Sequence, residues 1–133
     1  MARDDGVSVL FAEPSGIVIP FEMRTAISAA GRDVAVTVGP VVLLLNATDP
    51  EMLFGEGLGH ITAQQIAQSD VVAITKIDAA VDAQIVRVEA EVARRASQTQ
   101  VHHVSMQSGE GVAALVESIL GPLGEGGGSQ AMP

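Results

Sequence analysis

The chain has 133 residues, 47% of them hydrophobic but only 2% aromatic, with no cysteine and a formal net charge of −9. Seven Lys and Arg against sixteen Asp and Glu leave no basic surface for a phosphate backbone, and three Phe with neither Trp nor Tyr leave no platform for stacked bases, so nucleic acid and anionic membrane are excluded as expected partners. The missing thiols exclude disulfides and thiolate chemistry in these residues and fit a cytoplasmic protein. The length suits one compact domain. The apolar run Val41 to Leu45 is far too short to span a bilayer, and the charged stretch Met1 to Gly6 does not read as a signal peptide.

Val7 to Ala12 is an apolar run that predicts a buried strand, followed by a Pro-Ser-Gly turn. Pro20 stands where a helix starts and Gly31 where one stops. Val34 to Val38 and Val41 to Leu45 are runs rich in branched residues, broken by Gly39-Pro40, and read as one interrupted strand or two short ones. Asn46 to Gly59 predicts a loop, Ile61 to Gln68 a short helix and Val71 to Ile74 a buried strand. Asp82 to Ala96 is the clearest amphipathic helix, with Ile85, Val88, Val92 and Ala96 on one face. Val101 to Val104 predicts a strand, Val112 to Leu120 a helix ended by Gly121-Pro122, and Gly124 to Pro133 a flexible tail.

Strand and helix alternate four times. That order predicts an α/β domain over residues 7–121, with a mostly parallel sheet flanked by helices, and a tail over 122–133. Ligands of such sheets sit at the carboxyl ends of strands, and three short motifs each follow a predicted strand.

Thr75-Lys76-Ile77-Asp78 ends the strand from Val71. A carboxylate at its last position can accept both N–H donors on one edge of guanine, whereas adenine would leave it desolvated and unpaired, at a cost of about 1–3 kcal/mol. The ordinary structural account of Lys-x-Asp before a helix is capping. Ser105-Met106-Gln107-Ser108-Gly109-Glu110-Gly111 follows the strand from Val101; its ordinary account is a glycine-rich turn into a helix. Glu13-Pro14-Ser15-Gly16 follows the first predicted strand and taken alone is a turn.

Together the three motifs resemble the CobW/HypB/UreG family of P-loop GTPases, closest to its CobW branch. The first is similar to the guanine-recognition motif Asn-Lys-x-Asp, with Thr in first place, and the second to the Ser-Ala-Lys loop, from which Met106-Gln107 departs. The third is similar to the family's Glu-x-x-Gly. The resemblance covers roughly residues 7 to 120 and implies a partial P-loop NTPase fold of three layers. It implies nucleotide binding by Thr75, Lys76, Asp78, Ser105 and Met106, with the Met106 N–H meeting the guanine carbonyl. Catalysis is implied for Glu13 and Gly16, with Glu13 holding the Mg²⁺ shell or positioning the attacking water and the Gly16 N–H at the γ-phosphate. The implied ligands are GTP or GDP with Mg²⁺, and the implied clients are a metalloenzyme or a corrinoid protein. Asn46 stands where the family has Asp at the end of its strand.

The phosphate loop Gly-x-x-x-x-Gly-Lys-Ser/Thr does not occur in these 133 residues. In the family its strand lies between the Glu-x-x-Gly strand and the next one, so the strands from Val7 and Val41 must pair with each other, pair with another chain or leave an open edge. Three readings follow: half of a split GTPase, a fragment of a longer protein, or an interaction module that keeps the fold without using nucleotide. GTP hydrolysis is expected only if another chain supplies the phosphate loop; that partner, or self-association, is the expected assembly.

His102 and His103, adjacent on a strand, point to opposite faces and make a poor shared metal site. His60 stands alone, and Asp49, Glu51 and Glu56 read as a solvated loop. Ser15 and Ser108 lack a His-Asp pair in a hydrolase order.

Overall fold

The structure is a computed structural model and describes residues 9–14, 16, 19–30 and 38–126. Its elements, in chain order, are α1 (Pro20–Ala30), β1 (Val42–Asn46), α2 (Pro50–Phe54), α3 (Gly59–Ala67), β2 (Val71–Thr75), α4 (Asp82–Arg95), β3 (Gln100–His103) and α5 (Val112–Gly126). The strands form one parallel sheet in the order β1-β2-β3, with Val42 beside Val71, Asn46 beside Thr75, and Val71 beside Gln100. Parallel neighbours need crossovers, and α2 with α3 and then α4 supply them.

Strand residues alternate between two cores. On one face Leu45, Val72 and Ile74 pack with Ile66 of α3 and with Val88 and Val92 of α4. On the other, Val71, Ala73 and Val104 pack with Leu115 of α5. Residues 71–74 of β2 are therefore buried on both faces, which explains an unbroken apolar run there instead of alternation. The cover on the second face stops short of β1, where Leu44 remains 58% exposed. Helix α4 is placed by its apolar stripe and completed by charge: Asp82 in the first turn and Arg94 and Arg95 in the last oppose the helix dipole.

The α/β reading and the parallel sheet hold, and four local expectations are corrected. Residues 9–14 form no strand and are exposed, Leu10 at 77% and Phe11 at 73%. A strand apolar on both faces needs a neighbour to pair with, and no described strand pairs with the open edge of β1. The predicted loop from Asn46 contains α2, because Asp49 caps it by accepting from the Met52 N–H at 3.2 Å and Pro50 opens its first turn. Helix α5 continues through Pro122 to Gly126 instead of ending at Gly121. Leu123 lies against Gly39, where an added Cβ would stand 3.0 Å from its Cδ2, and that packing helps hold the turn that proline weakens. Finally β3 runs from Gln100 to His103, one residue earlier than Val101 to Val104. The predicted strand over residues 34–37, Ser15, and the tail over 127–133 lie outside the described residues.

Candidate functional site

The two expected base-recognition loops emerge side by side from the carboxyl ends of adjacent strands. Val104 N–H donates to the Ile74 carbonyl at 2.9 Å and Ile77 N–H donates to the Val104 carbonyl at 3.4 Å, so the parallel ladder carries past both strand ends into the loops. Thr75 is tied to β1 from both sides: its hydroxyl donates to the Leu45 carbonyl at 3.3 Å and its carbonyl accepts from Ala47 N–H at 3.0 Å.

At Lys76 the backbone turns left-handed, with φ of 61°. A residue with a Cβ there stores roughly 1–2 kcal/mol of strain. The turn lets the Lys76 carbonyl accept from the N–H groups of Ala79 and Ala80, at 3.0 and 3.1 Å. Asp78 lies on the outside of this turn, exposed, and its carboxylate takes no hydrogen bond or ion pair among the described residues. It does not cap the next helix: the N-cap of α4 is Val81, whose N–H donates at 2.9 Å to Oε1 of Gln84. The capping account of Lys-x-Asp therefore does not apply here.

The second loop is built around Ser105, which is 0% exposed. Its hydroxyl accepts from Ser108 N–H at 3.1 Å, its carbonyl accepts from Gly109 N–H at 2.8 Å, and its own N–H donates to the Glu110 carbonyl at 2.9 Å. These bonds leave Met106 outside the turn, 65% exposed, with its N–H unpartnered among the described residues. Gly111 closes the loop at φ 76°, so close to β3 that a Cβ would come 1.9 Å from the His103 carbonyl oxygen; only glycine fits. Lys76, Asp78 and Met106 thus form one exposed corner above β2 and β3, with Thr75 and Ser105 beneath it.

Glu13 and Gly16 do not join this corner. The Gly16 carbonyl accepts from Nε2 of Gln65, in the last turn of α3, at 2.8 Å. Phe21 N–H donates to Oε1 of Gln68 at 2.8 Å, and Arg24 pairs with Asp70 just before β2. All these partners lie where β1 and β2 begin, so Gly16 and the start of α1 sit toward the amino end of the sheet. The described residues before Gly16, 9–14, form no strand, and Ser15 of the Glu13-Pro14-Ser15-Gly16 motif lies outside the described residues. The surface depressions lined by Phe21, Arg24 and Gln68 also lie at that far end, away from the base corner.

Asn46 ends β1 beside Thr75. Its Oδ1 accepts from the N–H of Thr48 at 2.9 Å and from its hydroxyl at 2.7 Å, and Nε2 of Gln84 donates to the Thr48 carbonyl at 3.2 Å. Sequence reasoning missed Gln84. A glutamine three residues after an N-cap that has no oxygen of its own was the available signal.

No group of three or more His, Asp or Glu among the described residues is arranged to hold a metal ion. The paired histidines do diverge: His102 Nε2 meets the Ser118 hydroxyl of α5 at 3.1 Å, while His103 Nε2 lies 2.5 Å from a Glu89 oxygen of α4, outside hydrogen-bond alignment. Glu51 pairs with Arg87 at 2.6 Å, a solvated contact. No described helix is long and apolar enough to cross a membrane.

Compared with known families, residues 1–103 match the CobW/HypB/UreG nucleotide-binding domain. A comparison with curated proteins finds no match. The family match spans most of the chain, which therefore belongs to the CobW/HypB/UreG family and carries part of its nucleotide-binding domain.

Proposed function

We propose that this member of the CobW/HypB/UreG family supplies the guanine-recognition part of a GTPase-type site. The reading rests on one observation: an Asp78 carboxylate and a Met106 N–H, both without a partner among the described residues, stand on adjoining loops at the carboxyl ends of β2 and β3. In this reading Asp78 accepts from the two N–H donors on guanine's edge, Met106 N–H donates to its carbonyl oxygen, and the Lys76 stem lies along its face. Thr75 and Ser105 hold the loops in place from below.

The described residues fit the base and do not fit the phosphates or Mg²⁺. Gly16 is bonded to Gln65 near the start of β2, and these 133 residues contain no phosphate loop. The proposal assigns that loop to a partner chain or to sequence outside these residues. It assigns Glu13 and Gly16 to the metal shell and γ-phosphate only in an assembly that brings them to the corner, and hydrolysis only there. The wider setting proposed is a cytoplasmic metallochaperone or cobalamin-related role, with a metalloenzyme or corrinoid protein as client and neither nucleic acid nor membrane as partner.

A second reading, an interaction module indifferent to nucleotide, draws support from the exposed Leu10, Phe11, Phe21 and Leu44. A titration with fluorescent GDP, fluorescent ADP and the Asp78→Asn variant separates the two. Binding of GDP over ADP that is lost in the variant supports the guanine site. A folded protein that binds neither at millimolar nucleotide supports the interaction module.

A further inference from the structure

Both ends of the Asp78 loop are fastened to one short piece of chain, the end of β1. The loop's first end is held through Thr75, bonded to Leu45 and Ala47. Its last end is Val81, whose N–H is held by Gln84, and Gln84 in turn grips the Thr48 carbonyl. Thr48 is fixed in place by the two bonds it donates to Asn46. Between these anchors Asp78 makes no side-chain bond among the described residues.

We infer that Gln84, acting through Thr48 and Asn46, is a positioning residue for Asp78, setting where its carboxylate meets the base. The inference rests on the guanine-site reading and adds to it a determinant outside all three motifs.

The partners dictate the residue type. Val81 N–H can only donate, so an oxygen must face it, and the Thr48 carbonyl can only accept, so a nitrogen must face it. Glutamine supplies both from one amide. Glutamate would keep the bond to Val81 and set a carboxylate against a carbonyl. The same logic assigns Asn46: its oxygen faces the Thr48 N–H, as an Asp oxygen would, so Asn46→Asp keeps the turn. A merely structural Gln84 would serve only as half of a capping box for α4. The bond to Thr48, outside that helix, is what a cap does not require.

The test compares wild type with Gln84→Glu and Asn46→Asp. Amide hydrogen exchange of the nucleotide-free protein is measured together with affinity for fluorescent GDP and ADP. For Gln84→Glu the inference expects faster exchange at Ala79 and Ala80, unchanged exchange at Val88 and Val92 inside α4, and GDP affinity lower by about 3- to 10-fold with ADP unaffected. Asn46→Asp should match wild type in exchange. Unchanged loop exchange in Gln84→Glu overturns the inference and marks a cap alone, because Glu keeps the capping bond; equal loss of protection along α4 overturns it too, as a general loosening of the helix. Wild type that binds no GDP while Gln84→Glu still loosens the loop refutes the guanine site and leaves the positioning intact.

Discussion

The two ends of this chain solve the same folding problem with different success. The carboxyl end of the sheet is specified by local bonds: Ser105 organises its own turn, Lys76 closes another, and β2, from which the first loop emerges, is buried on both faces. The segment from Val9 to Ala30 is comparably apolar at its start, yet none of its described residues belongs to either core cluster. It is attached through polar contacts from Gln65, Gln68 and Asp70. A turn can be encoded in a few residues, whereas a strand buried on both faces requires neighbours.

The largest expected contrast is in the cores. Ile74→Ala, at a fully buried position of β2, should destabilise by about 2–5 kcal/mol, while Leu10→Ala should stay within about 0.5 kcal/mol; denaturant midpoints decide. Equal costs would mean that the amino-terminal segment is packed after all.

The glycines sharpen the same contrast. Gly111→Ala combines a left-handed φ with a clash against the His103 carbonyl and should cost more than about 2 kcal/mol. Gly16→Ala meets nothing within 4 Å and should be near neutral in thermal melts of the isolated chain. A costly Gly16→Ala would show that residues 13–16 are already seated in a confined site.

A smaller effect is expected for Arg24→Ala, which removes a half-exposed ion pair to Asp70 worth no more than about 1 kcal/mol. Exchange should quicken in α1 and stay unchanged at β2. Spread of the change into β2 would tie the two regions together more firmly than their contacts suggest.

Smallest is a pH effect at Glu91. Burial raises its pKa, and this is outweighed by hydrogen bonds from Arg94 and Arg95, which hold the carboxyl below its ordinary value. A lowered folded pKa means stability that is present above the ordinary carboxylate value of about 4.3 and lost as pH falls through the folded one. The stability difference between wild type and Glu91→Gln should therefore be flat from neutral pH down to about 5 and narrow in acid. A difference that grew on acidification would reverse the assignment.

The sequence shows what is local and periodic. The stripe on α4, the aliphatic run of β2 and the spacing between Thr75–Asp78 and Ser105–Gly111 are readable because each is set by neighbours along the chain. Helix α2 went unread because Asp49-Pro50 serves a helix start as readily as a turn. Pro122 misled because Leu123 packs on Gly39, a contact distant in sequence. Residues 9–14 form no strand despite their apolar run because a strand depends on its partners. For Gln84 only the capping bond is legible in sequence; its bond to Thr48 joins residues 36 apart.

The central claim is that the base corner stands complete without the amino-terminal segment. The most direct test is an amide NMR titration of the chain with GDP and, separately, with ADP. The account predicts GDP-induced shifts at Lys76 to Val81 and Ser105 to Gly109, little change in residues 19–30, and none of this with ADP. Shifts of equal size for both nucleotides, or shifts centred on α1, would contradict it.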